Sequence, residues 1–491
     1  MTVTAERIER PAPTARTATI ALARAEARRM WRSPLLWIGT LLTVALGVAW
    51  MWTRMPSWET FHENAGVASM LLAAWLLMAG HLAAGRDRRA GAEESTRTLP
   101  AGPGRRGLAL LVTVPIAAVA GAVACLAELL LLLPTWPVGP YDPWVALTLI
   151  VIPAIGAGIG VLIGRALPGV AAGPLAVVVL VAVMFMFIFV PNDPQSVMTH
   201  LWPVVHVNWN FGLPRPTGWH LLYLVGVLVA VIAANCRPAA PRSAITVTVL
   251  AILLAGFAVQ REAAETPDAI HTEEVMKYVA PETLDCRTHE EVRYCALDGY
   301  GAWIPYWREA AEPVADLLPA GAQRPSIRQI STSDNLVPMQ AGHPELRVGD
   351  TWGRVGSWAE DSRVRLTRDY AATAVGLLRR DDPENWRSCD GSGQHRTVVA
   401  LWLLEQAAPG KGLTVPRIRY GDAERQAAEV LLAKPRAEVQ SHLAAHWSGV
   451  LDPAATPLAA LGVTITPPPI PSEPAPPMEG STTSDDRGVC R

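Results

Sequence analysis

Residues 144–164, WVALTLIVIPAIGAGIGVLIG, run for 21 positions without a charged side chain. As a helix such a run reaches about 30 Å, the thickness of a bilayer's hydrocarbon core. Six further apolar runs of comparable length lie near 34–53, 65–84, 107–134, 170–190, 218–235 and 243–260. The third is over-long and is expected to tilt or protrude. The last two are separated only by Cys236, Arg237 and a Pro-rich turn to Arg242, close enough to form a tight hairpin. The pattern predicts an α-helical polytopic membrane protein, with a six-span core over 34–242, a seventh span at 243–260 and a C-terminal soluble domain.

The two halves of the 491-residue chain differ in charge. Residues 1–260 hold 18 Arg, no Lys and 11 acidic residues, and residues 261–491 hold 24 basic and 33 acidic residues. Neither half reads as a nucleic-acid surface, because the arginines of the first sit in short clusters between apolar runs and the second is acidic. The clusters read as topology signals. Arg24, Arg28, Arg29 and Arg32 precede the first run, Arg86 to Arg106 lie between the second and third, and Arg165, Arg237 and Arg242 fall in later turns. All are on one side, the cytoplasmic side by the positive-inside rule. The opposite loops carry Trp52, Trp58, Trp136, Trp144, Trp202, Trp209 and Trp219, which suit an interfacial belt. The N-terminus is therefore expected inside and residues 261–491 outside. The first apolar run follows a long Arg-bearing stretch and has no small-residue cleavage site, so it is not a removable signal. Low Lys and high Ala and Arg usage hint at a GC-rich bacterial genome.

Before the first span, Ile20 to Arg32 reads either as a helix fit for the membrane interface, with apolar Ile20, Ala23, Ala27, Met30 and Trp31 on one side, or as a cytoplasmic extension of that span carrying a positive-inside cluster. Pro34 favours a break between it and the span. The loop that follows the second span, residues 86–107, carries Arg88, Arg89, Gly91, Glu93, Glu94, Leu99, Pro103, Arg105 and Arg106. Ala90 to Thr98 fits two helical turns, with the two glutamates in the first turn, where the helix dipole favours them, and Pro and Gly to end it.

This loop resembles the one between spans two and three in permeases of type-2 ABC exporters. There a basic start leads to a Gly-small-x-Glu step, a short helix ending near Leu, and then Pro and Arg. The resemblance covers roughly residues 18–235 and includes the interfacial helix, the six-span core and the semi-polar segment Pro191 to Gly218, which in the family dips back into the outer leaflet. It implies that the loop is a coupling helix gripped by a separate cytoplasmic ATPase subunit, that two permeases pair across the lipid bilayer, and that ATP is used by the partner. The chain itself has no nucleotide site: Gly410-Lys411 lacks the phosphate-wrapping spacing. No cofactor or metal is expected in it. The seventh span and the large C-terminal domain depart from the family pattern. They leave open a second reading, a membrane-anchored extracytoplasmic binding or sensor protein.

Glu128 lies within an apolar run, where a carboxylate is costly, yet near the outer end, where it can reach the headgroups. Gly156, Gly160 and Gly164 repeat at four-residue spacing and allow close helix packing. His81 and His220 sit near span ends and read as interfacial. In residues 261–465, Cys286 and Cys295 are expected to form a disulfide, and Cys389 and Cys490 are candidates for a second. The Pro-rich tail 466–491 reads as disordered. Helical spacing at 369–380, 397–406 and 423–447 and a β-prone piece at 326–330 predict a mixed α/β fold. His442 and His446 lack the Glu that a zinc-protease helix requires, and Cys389-Asp-Gly-Ser-Gly lacks a nucleophile-elbow Gly.

Overall fold

A computed structural model describes residues 15–92, 94, 103–189, 197–205, 216–265, 283–330, 343–349, 351–378, 389–415, 418–466 and 490. The first described element is the helix α1 (Ala15–Trp31); the chain then breaks at Ser33 and enters α2 (Pro34–Met51) with Pro34 in its first turn, where a missing N–H costs nothing. α3 (Trp58–Ala84) starts at a capping box in which Ser57 and Thr60 satisfy each other's backbone N–H. A single turn, α4 (Arg86–Arg89), follows.

The third run does not cross as one rod. It divides into α5 (Pro103–Leu110) and α6 (Thr113–Leu131). Between them Leu111 and Val112 donate to Leu108 and Ala109, a tighter i to i−3 pattern that interrupts the α-ladder. The next pair is α7 (Pro143–Ala166) and α8 (Ala172–Phe189), then a 3₁₀ turn at Thr199–Leu201, α9 (Thr217–Cys236) and α10 (Pro241–Glu265).

Among the described residues, six helical stretches are long and apolar enough to cross a membrane: Pro34–Met51, Trp58–Ala84, Gly104–Leu131, Pro143–Ala166, Thr217–Cys236 and Pro241–Glu265. The stretch expected at 170–190 is the apolar helix α8, which starts at Ala172 after a turn at Pro168 and Gly169 and is described to Phe189. α8 begins beside His81 near the end of α3, and its Met184 reaches the cluster of Ile152, Trp202 and Leu224. Leu41, Leu175, Val178, Leu250 and Leu253 point outward from the bundle, a pattern stable in hydrocarbon and costly in water.

The bundle thus has a basic end, with Arg86, Arg106, Arg165 and Arg237, and an aromatic end, with Trp52, Trp58, Trp136, Trp144 and Trp219. At the aromatic end the Asp142 carboxylate caps α7 by accepting from Trp144 and Val145, and also accepts from Thr217 Oγ1 at 2.7 Å, which fastens the start of α9 to the start of α7.

The C-terminal part is mixed α and β, as its sequence predicts. A four-stranded sheet has the order β1 (Asp285–His289), β2 (Val292–Ala296), β3 (Ser326–Gln329), β4 (Glu345–Val348); the first pair is antiparallel and the others parallel. Between β2 and β3 lies α11 (Ile304–Ala315), and α12 (Gly356–Ala374) follows β4. A second sheet pairs β5 (Cys389–Asp390) with β6 (Ile418–Arg419). The middle of the fold is α13 (His395–Ala407), whose Val398 to Leu404 are wholly buried among Trp303, Trp307 and Tyr370. α14 (Asp422–Leu432) and α15 (Arg436–Val450) close the other side.

Both expected disulfides are present. Cys286 and Cys295 face each other across the β1–β2 ladder, and Cys389 and Cys490 join positions 101 apart. The tail expected to be disordered lies mostly outside the described residues, but Cys490 is buried. Its N–H donates to Asp390 O, and its carbonyl accepts from Gln394 Nε2 and Arg396 Nη2.

The C-terminal domain is stitched to the bundle by main-chain bonds. Met55 N donates to Trp352 O at 2.7 Å, Arg354 N to Thr53 O at 3.0 Å and Gly139 N to Gly299 O at 2.9 Å. Arg354 also donates to Leu132 O at 2.7 Å and lies 5.1 Å from the Trp52 ring centroid. The loops involved join α2 to α3 and α6 to α7, and they pair with each other between Ser57 and Val138.

Candidate functional site

At the basic end the polar residues form one connected layer. Glu26 of α1, with only 9% of its side chain exposed, receives Arg29 at 2.7 Å and Arg86 at 3.1 Å. Arg106 of α5 pairs with Asp87 at 3.1 Å. Arg88 donates to Arg165 O at the end of α7, and Arg89 to Pro168 O and Leu82 O. Arginines on helix-end carbonyls meet the negative pole of the helix dipole and satisfy acceptors that the helix leaves open. Arg165 in turn donates to Asn235 O at 2.6 Å, and Asn235 Nδ2 donates to Gly158 O at 3.1 Å, which extends the layer to α9. Gly104 allows the turn at Pro238 to approach, since a Cβ there would stand 2.9 Å from Pro238 O.

Of the predicted loop residues, Arg88 and Arg89 anchor this layer, Pro103 opens α5, and Arg105 and Glu94 are exposed. Glu93 and Leu99 lie outside the described residues. A helical turn at Arg86–Arg89 precedes the expected helix, and Gly91 ends it with a φ of 64°, a left-handed conformation that glycine adopts without strain. Of the helix expected from Ala90 to Thr98, Glu94 is helical, while residues 93 and 95–98 lie outside the described residues.

The glycine spacing on α7 is an intrachain seam. A Cβ at Gly156, Gly160 or Gly164 would strike the carbonyl oxygens of Ala73, Leu77 and His81, successive turns of α3. The two helices run parallel with their backbones in contact.

Glu128 does not reach the headgroups. It is 2% exposed, and its carboxyl lies against the backbone of α2 at Gly47, where any side chain would overlap it. His81 and His220 are also buried at 1%, not interfacial. His81 Nε2 donates to Gly169 O at 3.1 Å and ties α3 to the turn before α8.

At the aromatic end lies a group that sequence reasoning passed over. His200, His220 and Glu262 are brought together from the 3₁₀ turn, α9 and α10, each 1–2% exposed. The distance from position 200 to position 262 hides the group in sequence. The one available signal was a carboxylate and two histidines at the ends of otherwise apolar runs.

The C-terminal domain offers a cleft of about 390 Å³ lined by Glu360, Asp361, Arg365, Arg368, Asp369 and Lys411. Part of its charge is paired internally: hydrogen bonds from Lys411 and Arg363 hold the Glu360 carboxyl below the ordinary carboxylate range. His289, Glu290 and Glu312 also place three metal-ligand atoms within 4.8 Å of one another, but Arg308 Nε already occupies the Glu312 oxygen at 2.8 Å. His442 and His446 stack on each other, and His442 Nε2 donates to Pro457 O at 2.7 Å, so that pair serves packing.

Compared with protein-family models, curated proteins and solved structures, the chain matches none.

Proposed function

We propose that this chain is the transmembrane permease subunit of an ABC transporter, an exporter driven by ATP that a separate cytoplasmic ATPase subunit hydrolyses. The observation that carries the reading is the Glu26 carboxylate shared by Arg29 and Arg86. It locks α1 to the start of the loop that enters α5, while Arg88 and Arg89 tie that loop to the ends of α7 and α3. A partner pressing on residues between Arg89 and Pro103 then moves α1, α3, α5 and α7 as one body, which is what a coupling loop has to do.

In this reading the layer faces the cytoplasm and the C-terminal domain lies on the far side of a bacterial cytoplasmic membrane, an orientation that the positive-inside rule favours for the arginine clusters. Two such permeases, paired in the bilayer, would enclose the path. The main-chain stitching of the C-terminal domain to two interhelical loops supports a working part of the transporter over a sensor whose helices only anchor it.

The test is co-expression of the full chain with an ATPase encoded beside its gene. Association is expected to change ATP turnover at least twofold, and Glu93→Ala with Glu94→Ala to abolish that change while the two proteins still co-purify. A chain that binds no ATPase, or a double variant that leaves the change intact, refutes the proposal.

A further inference from the structure

The C-terminal domain keeps Trp303, Trp307, Trp352 and Trp402 at 8% exposure or less, but Trp358, in the first turn of α12, stands 54% exposed. Val355 just before it and Tyr306 of α11 are exposed as well. Exposed apolar side chains gathered in one place mark a contact surface, where scattered ones do not. Their place in the fold says which. Tyr306 lies 6.4 Å from the Trp352 ring, and Trp352 O accepts from Met55 N. Val355 follows Arg354, whose N–H donates to Thr53 O. Gly353 forms a bridge with Arg54 and has no room for a Cβ, because the Trp358 carbonyl lies against it. All three side chains therefore belong to the seam where the domain meets the end of α2.

The seam sets their depth. α2 has 18 residues and rises about 27 Å, nearly the whole of a hydrocarbon core. Trp50 and Trp52 at its end are exposed. From Met51 the chain reaches Arg54 within at most about 11 Å, and the headgroup layer fills about 5–8 Å beyond the hydrocarbon. Trp358, one bridge away from Arg54, is thus within a side chain's length of the headgroups. Trp and Tyr are the residues that settle there, with an apolar body toward the acyl chains and a polar tip toward water.

We propose that Tyr306, Val355 and Trp358 form a membrane-contacting edge, by which the C-terminal domain rests in the headgroup layer of the leaflet at the aromatic end. The occupant is the bilayer, because the edge continues the exposed aromatic end of the bundle: Trp50 and Trp52 lead to the Arg354 guanidinium, 5.1 Å from the Trp52 ring, and Arg354 leads to Val355 and Trp358. The inference rests on the bundle crossing a bilayer and not on the transport reading.

The test uses the full chain in phospholipid nanodiscs, with the free thiols removed by Cys125→Ala and Cys236→Ala. A fluorophore is placed on Ser357→Cys, an exposed position that leaves Trp358 intact. The quencher is phospholipid carrying a nitroxide at the headgroup end of its acyl chain. Leu253→Cys, exposed on α10, reports the hydrocarbon core, and Val430→Cys, exposed on α14, reports an apolar position away from the seam. Quenching at Ser357→Cys is expected to exceed that at Val430→Cys at least about threefold, and Trp358→Ala to remove at least about half of the excess while Trp358→Tyr retains it. Equal quenching at Ser357→Cys and Val430→Cys overturns the proposal; if aqueous iodide also fails to quench the Ser357→Cys label, a protein covers the edge instead. Quenching at Ser357→Cys that Trp358→Ala leaves unchanged overturns the role given to Trp358. Should Leu253→Cys itself escape quenching, the bundle does not cross the bilayer and the proposal falls with the membrane reading.

Discussion

Replacing Cys389 and Cys490 with alanine opens a covalent loop whose ends stand 101 positions apart, whereas replacing Cys286 and Cys295 opens one of 9. In the chain-entropy model the long bridge removes about 4.7 kcal/mol of freedom from the unfolded domain and the short one about 2.6 kcal/mol. The difference of about 2.1 kcal/mol is about 30-fold in the unfolding equilibrium. One feature widens it. The long bridge holds Cys490 where its carbonyl accepts from the buried Arg396. The assay is hydrogen exchange of Val398 to Leu404 in the full chain, since wholly buried amides at the centre of α13 exchange when the domain opens. Exchange in Cys389→Ala with Cys490→Ala is expected to exceed that in Cys286→Ala with Cys295→Ala by at least about 30-fold. An equal or larger effect from the short bridge would refute the reasoning.

Three further outcomes follow from the packing and the charges. Gly160→Leu drives a side chain into Leu77 O and is expected to lower the thermal midpoint of the full chain, at an overpacking cost of about 1–3 kcal/mol or more; the same change at Gly169, where a Cβ meets nothing, is the control. His395 accepts from Leu458 N through Nδ1, and burial holds the imidazole below its ordinary range. A depressed histidine contributes stability above its unfolded value of about pH 6.5 and loses it as pH falls further, so acid unfolding of the C-terminal domain is expected to be less steep in His395→Gln. Arg354→Ala removes the bond to Leu132 O and the contact with Trp52, and is expected to lower the yield of a disulfide engineered between Met55→Cys and Trp352→Cys at least twofold.

The apolar runs were legible because hydrocarbon demands the same thing at every position, and the helix ends were legible where Pro34, Ser57 and Asp142 gave local signals. The break at Leu111 and Val112 was not, since both are apolar residues that fit a continuous span. The glycine spacing on α7 announced a close neighbour, but only the fold showed that the neighbour is α3. Glu128 stands out in the sequence, while its neighbour Gly47 has no side chain to reveal the contact. By itself His220 reads as interfacial, and its place in the fold depends on His200 and Glu262, which no local pattern connects to it. The junction between the halves was silent in sequence because it is made by backbone N–H and C=O groups, which every residue but proline carries.

Among the described residues that junction attaches the C-terminal domain at the loop at 53–57 and the loop at 132–139, and the chain leaving α10 is a third attachment. Three points fix a plane, so the cap cannot tilt alone; a change in the angle between α2, α3, α6 and α7 tilts it, and holding it still resists that change. An antibody fragment clamped across the cap and the loop at 53–57 would thus act as a brake on helices it never touches, and a fluorophore on the cap would report their motion.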